Sequence, residues 1–322
     1  MAKQELRKLC NVLPVPLAEL VRRALNGKSA VERHHCAYYL AEATLKLAAA
    51  ARIGLYVDRA LQPGSEMAAR IEAVAFGSVG QWVGLLRDVN AELARLPDAA
   101  LLPLASDAHE LTVPRPDWTA VARFATEAVA VEAVTEEARR LAAKRGAVGF
   151  FELVTAYRNE VMGHGSVRSN AVYESCGSAL LEACGEVLAL PGIFGGLQLA
   201  RPRLDEEGHP EWHLLTGLAG VATGDPAPDT VPGHLYLQGP AGTVSLHPLA
   251  VAVEDEFGRE QVGFLNRTLR KTRKTESAPV EEVRRVDYLD YASGESLKAI
   301  DAREAVAAFL GRLRGSADRK ST

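Results

Sequence analysis

Apolar positions across the first 190 residues recur at helical spacing, and turn residues punctuate them. Residues 1–27 hold two short helical pieces broken by Pro14 and Pro16, the second closed by Asn26-Gly27. Ser29-Ala-Val-Glu32 has capping-box spacing, and the Ala-, Leu- and Tyr-rich run behind it predicts a central helix to about Ile53. A further helix follows the turn at Pro63-Gly64-Ser65, and Phe76-Gly77-Ser78 opens another that Pro97 closes. Residues 98–117, with Pro103, Pro114 and Pro116, read as a loop. The longest helical pattern is expected from Asp117, as N-cap, to Lys144, with Arg145-Gly146 as its stop. Two more helices follow, Phe150 to Met162 and Asn170 to Leu190, the second ended by Pro191-Gly192. Helices joined by short turns predict a bundle.

Beyond Phe194-Gly195-Gly196 the helical period gives way to alternation. Strands are expected at His234–Gln238, Thr243–Leu246, Val251–Val253, Val262–Leu265 and Val283–Tyr291, with Gly239-Pro-Ala-Gly242 as a hairpin turn. Asp301-Ala-Arg-Glu304 starts a last helix to about Leu313, and the tail after it is expected to be disordered. The fold class is therefore α+β: an all-α helical bundle over residues 1–195, then a small antiparallel β-rich domain with a C-terminal helix over 196–322. No internal repeat is expected.

Composition narrows the function classes only a little. A hydrophobic share of 48% and a charged share of 24% are those of an ordinary globular protein. The net charge of -4 excludes a surface that is basic throughout, though not a local basic site. No apolar run is long enough to span a bilayer, and the N-terminus lacks the apolar core of a secretory signal, so a cytoplasmic protein with no membrane contact is expected. The four cysteines form no C-x-x-C pair and read as free buried thiols. Neither a P-loop nor a G-x-G-x-x-G is present, and no cofactor is expected.

The stretch with the most chemistry is Phe150–Ser166, FFELVTAYRNEVMGHGS. An apolar helix ends there at a glycine and carries Arg158, Asn159 and His164 at its end. Arginine with histidine suits a phosphodiester: a permanent cation for the phosphate, and a group that gives or takes a proton near neutral pH. Six positions on a continuous helix would place the two about 120° apart, but a stop at Gly163 frees His164 to swing toward Arg158. The structural alternative pairs Arg158 with a neighbouring acid and has His164 cap the helix C-terminus.

R-N-x-x-x-G-H-G on the penultimate helix of a helical bundle resembles the HEPN superfamily. The long opening helix with Tyr38-Tyr39 and the segment Gly80–Leu86 are also similar, so the resemblance covers roughly residues 29–190. It implies metal-independent endoribonuclease activity in a homodimer, with the ribose 2′-hydroxyl attacking its own phosphate. On that resemblance His164 is the acid/base, Arg158 stabilises phosphoryl charge and Asn159 orients an oxygen. It further implies a toxin or antiviral-defence effector, with a protein partner from the same operon. HEPN toxins silenced by nucleotidyltransferase antitoxins carry a tyrosine two residues after the histidine. Here that position is Ser166, so that mode of regulation is not implied. The rival expectation is a non-enzymatic adaptor whose bundle dimerises or docks a kinase, ATPase or nuclease partner.

Other signals are weaker. Asn266–Lys274 carries five basic residues and no acid; it reads as a solvated loop, with RNA-backbone contact through Arg270, Lys271, Arg273 and Lys274 as the functional alternative. His34-His35 are adjacent and point about 100° apart on a helix, so they do not share a metal. His209-Pro-Glu-Trp-His213 lacks the helix a zinc motif of that spacing needs, and no metal is assigned.

Overall fold

The computed structural model describes residues 3–58, 65–95, 104, 108–161, 168–194, 196–217, 221–223, 226, 230–240, 242–274, 279–298 and 302–318. The chain is α+β. Among the described residues nine α-helices precede the strands: α1 (Lys3–Leu9), α2 (Val15–Asn26), α3 (Ala30–Asp58), α4 (Ser65–Ala73), α5 (Val79–Leu93), α6 (Thr119–Ala130), α7 (Glu136–Lys144), α8 (Gly146–Val161) and α9 (Asn170–Leu188). Nine strands follow among the described residues, and then α10 (Ala302–Asp318).

Helix α3 is the axis. It is apolar nearly all round, and Leu40, Leu47, Ala48 to Ala51 and Ile53 are fully buried, as expected of a helix with neighbours on every side. Its start is the one the capping spacing predicts: Ser29 Oγ accepts from Glu32 N, and the Glu32 carboxylate accepts from Lys28 N at 2.8 Å. Helix α5 opens with a complete capping box between Ser78 and Gln81. Buried Arg52 on α3 donates to Asn90 on α5 and to the Gly192 and Ile193 carbonyls after α9, so one satisfied cation holds three elements together.

The single helix expected from Asp117 to Lys144 is two helices. The chain breaks at Glu132, whose φ of 55° is left-handed, and Thr135 caps the restart. Nor is Asp117 the N-cap. The first free amides of α6, Ala120 and Val121, are taken by the Glu186 carboxylate reaching across from α9 at 3.0 Å. A tertiary contact supplies what the local sequence does not.

The β-rich part forms two antiparallel sheets. β1 (Gln198–Leu204), β2 (Pro210–Leu214), β3 (Val221–Thr223), β4 (Tyr236–Gly239) and β5 (Gly242–Ser245) make one in the order β3-β2-β1-β4-β5. β6 (Ala250–Glu254), β7 (Glu260–Lys274), β8 (Pro279–Leu289) and β9 (Ser296–Leu297) make the other, in chain order. The hairpin at Gly239–Gly242 forms as expected.

Contrary to expectation, the chain repeats itself. Asp205-Glu-Glu-Gly208 and Asp255-Glu-Phe-Gly258 stand fifty positions apart, and each turns one hairpin. In each turn the aspartate Oδ1 accepts from the amides two and four residues on, and the glycine takes a φ of 85° or 73°. The base of each hairpin is closed alike, Leu215 N to Leu199 O at 2.7 Å and Leu265 N to Leu249 O at 2.8 Å. The two hairpins are joined by charge: Arg201 and Arg203 from β1 meet Glu254 and Glu260 of the second hairpin.

One apolar core runs through helices and sheets, from Leu6 to Leu313. The two parts approach so closely at Gly54 that a Cβ there would collide with the Ser245 carbonyl oxygen of β5. Gly54→Ala should therefore destabilise the protein by about 2 kcal/mol or more, against the roughly 1 kcal/mol by which alanine favours a helix over glycine. Urea denaturation measures this, and a stabilised variant would show that the helix does not need that approach.

Candidate functional site

Helix α8 buries a stripe at helical spacing, Phe150, Leu153, Val154, Tyr157 and Val161, and this turns Arg158, Asn159 and Glu160 outward on its last turn. Arg158 and Asn159 are thus exposed neighbours. His164 and Ser166 lie outside the described residues. Among the described residues no acid stands within ion-pair distance of Arg158. Burial and the Glu42 charge raise the hydroxyl of Tyr38 on α3, and the Arg158 charge opposes them only weakly.

Tyr38 is one end of a buried polar network. Its hydroxyl donates to Glu42 Oε2 at 2.6 Å, while Tyr291, in the turn after β8, donates to Glu42 Oε1. Lys46 Nζ lies 3.8 Å from the same Oε1. It donates to the Leu265 carbonyl at 3.2 Å and to Asn266 Oδ1 at 3.4 Å, and it sits over the rings of Trp82 and Tyr291. Lys46 is fully buried, and burial pushes its ammonium down to about 8 against the opposing pull of Glu42. Burial, and then the Glu42 charge, raise the hydroxyls of Tyr38 and Tyr291, so both stay protonated donors.

Behind Arg158, Tyr157 points inward and its hydroxyl meets His34 Nε2 at 2.8 Å. His34 is fully enclosed, its ring packed near those of Tyr157 and Tyr173. Burial, with a smaller contribution from His35, lowers it to about 4. It is a neutral structural imidazole.

The basic run is a strand, not the expected loop. It forms the second half of β7, paired with β8 across two register shifts. Alternation turns Thr268 and Arg270 toward the helices and Leu269 and Lys271 toward solvent. Thr268 Oγ1 donates to the Ala75 carbonyl at 2.8 Å, and Arg270 pairs with Glu72 on α4. Lys271 is exposed, while the side chains of Arg273 and Lys274 lie outside the described residues. Of the four candidate RNA contacts, Arg270 is thus spent on the fold.

Two other groupings carry less. At the exposed tip of the first hairpin, Asp205, Glu207 and His209 offer three ligand atoms within 4.8 Å of one another, yet Asp205 already serves the turn amides. His213, four residues on, belongs to β2 and is not part of that group. A cleft of about 780 Å³ lies between α2, the two hairpins and the turn after β8, with Arg23, Arg203, His213, Glu260 and Asp290 in its walls. Opposite charges there face one another, so the cleft lacks the single-sign field that a nucleic-acid backbone requires.

Comparison of the chain with protein-family models, curated proteins and solved structures finds no match.

Two outcomes follow. Arg270→Ala should cost about 1–3 kcal/mol of stability by removing a partly buried ion pair with Glu72, whereas Lys271→Ala should be nearly neutral; denaturant midpoints of the two variants test this. His34, held at about 4 in the fold against 6.5, is neutral while the unfolded chain takes up a proton. Its stabilising contribution is therefore complete above pH 6.5 and lost as pH falls from 6.5 to 4, on the order of 3 kcal/mol in all. His247, also held at about 4, acts in the same direction, while the raised carboxyls of Glu260 and Asp290 act oppositely at the acid end. Between pH 5.5 and 6.5, His34→Gln should flatten the slope by about one proton, and an unchanged slope would remove this account.

Proposed function

We propose that the chain is a metal-independent endoribonuclease of HEPN type, acting as a toxin or antiviral-defence effector. The observation that carries this reading is Arg158: an exposed arginine on the last turn of α8, three positions before Val161 and six before His164, with no acid within ion-pair distance among the described residues. An arginine that serves only the fold usually has its charge neutralised by a carboxylate. This one has no carboxylate partner among the described residues, which leaves its N–H donors for an anion.

In this reading the substrate is single-stranded or looped RNA, whose 2′-hydroxyl can come into line with its own phosphate. His164 takes or gives the proton, Arg158 stabilises the charge that develops on the non-bridging oxygens, and Asn159 orients one of them. The products are a 2′,3′-cyclic phosphate and a 5′-hydroxyl. A homodimer that faces two such motifs across a two-fold axis provides an acid and a base from two copies of one residue. Of the candidate RNA contacts on β7, Lys271 is exposed and able to steer RNA toward this site.

The test is induction of the wild type, His164→Ala and Arg158→Ala in cells, followed by growth and total-RNA integrity. The wild type should arrest growth with fragmented RNA bearing cyclic-phosphate ends, and either variant should lose at least about 100-fold in cleavage rate. Intact RNA with all three proteins, from cells and from purified dimer alike, would transfer the case to the adaptor reading, whose test is capture of its partner.

A further inference from the structure

We infer that the cavity between α6 and α7 is a binding site for a small amphipathic anion, an apolar body of about ten non-hydrogen atoms bearing one carboxylate. The site does not depend on the ribonuclease reading. It adjoins Gly146 at the start of α8, and Arg158 lies twelve residues on, about 18 Å along that helix.

The cavity exists because the helical pattern breaks at Glu132. The Glu132 amide donates to the Val129 carbonyl at 2.9 Å and the Ala133 amide to the Ala128 carbonyl at 2.8 Å, and the chain turns so that α7 packs beside α6. From α6 and its cap, Trp118, Val121, Ala122 and Ala125 line the cavity at i, i+3, i+4 and i+7, one helix face. Arg139, Ala142, Ala143 and Gly146 repeat that spacing from α7 and the residue that opens α8. Side chains as small as these alanines do not close the space between two helices, and about 290 Å³ remains. Both walls are fixed from outside. Glu186 holds α6 by the Ala120 and Val121 amides, and a Cβ at Gly149 would collide with the Ala142 carbonyl, so α7 sits directly on α8.

Every charged side chain in the walls is an arginine: Arg115, Arg139 and Arg140. Arg115 precedes α6, and the stretch before it is pressed on the start of α8, where a Cβ at Gly146 would meet the Leu111 and Val113 carbonyls. The Arg115 Nε is buried without a hydrogen-bond partner, while its Nη2 lies 3.5 Å from Glu110. Arg139 pairs with Glu136 at 2.7 Å, and Arg140 has no ion-pair partner among the described residues. Thr126, a neutral polar residue of the wall, spends its hydroxyl on the Ala122 carbonyl at 2.9 Å. Two acids against three arginines leave a net positive rim, over a floor of buried Val121, Ala125 and Ala142. Guanidinium forks match a carboxylate, and the floor takes an apolar body. A neutral ligand would leave the arginine donors without a partner, and a cation would be repelled. The larger cleft between α2 and the hairpins has no such division of charge.

The experiment is titration of the full-length protein with decanoate, decan-1-ol and decyltrimethylammonium, each below its micelle-forming concentration. It is read by calorimetry and by the indole N–H NMR signals of Trp82, Trp118 and Trp212, with Trp118→Phe assigning the signal that matters. Decanoate should bind once per chain with a Kd below about 1 mM, and it should move the Trp118 signal and neither of the others. Decanol should bind at least about tenfold more weakly, and the ammonium not at all. Arg140→Ala, which removes an exposed side chain without an ion-pair partner, should weaken decanoate about tenfold and leave decanol unchanged. Ala122→Leu, at an exposed position, should fill the cavity and abolish binding of both without disturbing the fold. Equal affinity for decanoate and decanol, an unmoved Trp118 signal, or undiminished decanoate affinity in either variant overturns the inference. So does an absence of decanoate binding up to about 1 mM. None of these outcomes touches the ribonuclease reading, which cleavage alone decides.

Discussion

A carboxylate and an ammonium buried where the central helix meets the sheets are the constraint on which this structure depends. Removing one partner of such a pair leaves a charge without water or counter-charge, at a cost of about 3–5 kcal/mol. Glu42 and Lys46 tolerate burial because their surroundings are complete: two phenols and the ammonium for the carboxylate, a carbonyl, an amide oxygen and two aromatic faces for the ammonium. Those partners come from α3, α5, β7 and the turn after β8. The network can therefore be satisfied only when helices and sheets are in register, and the close approach at Gly54 asks the same of the backbone.

The β-rich part is built from one device used twice. Two hairpins fifty residues apart share an aspartate-to-glycine turn and the same closing bond at their base. Their facing strands are then bound by a cluster of two arginines and two glutamates, balanced in sign, in which Arg201 and Glu260 are shielded from solvent while Glu254 is exposed. The second hairpin continues past its copy, β7 running on to Lys274, and that extension is what reaches α4 and the Lys46 network. The surplus length thus has a structural use that the shorter hairpin has not.

Much of the architecture was legible from spacing. The capped starts of α3 and α5, the helix carrying Arg158, the Gly239–Gly242 hairpin and the α+β class all follow from local pattern. The errors have local causes. Asp117 was read as a cap because nothing nearby announces that Glu186 from α9 takes the amides instead. Asn266–Lys274 read as a loop because its inward positions are Thr268 and Arg270, polar residues whose partners on the helical side are remote in sequence. The repeat is faint in the sequence because the likeness lies mainly in its turns, while the strands keep little more than their alternation.

At the site, what the sequence by itself determined is the chemistry on offer: an arginine, an asparagine and a histidine at the end of an apolar helix, and polar residues four apart on another. Periodicity also decides that Arg158 faces outward while Tyr157 faces inward, since one turn of helix leaves no other choice. What satisfies the buried Glu42 was decided by tertiary structure alone. Tyr38 stands four positions before it on the same helix, but Tyr291, which takes its other oxygen, is 249 positions later. Hydrogen bonds across such separations leave no periodic trace. They exist only once burial has removed water as the competing partner, and burial is a property of the folded chain.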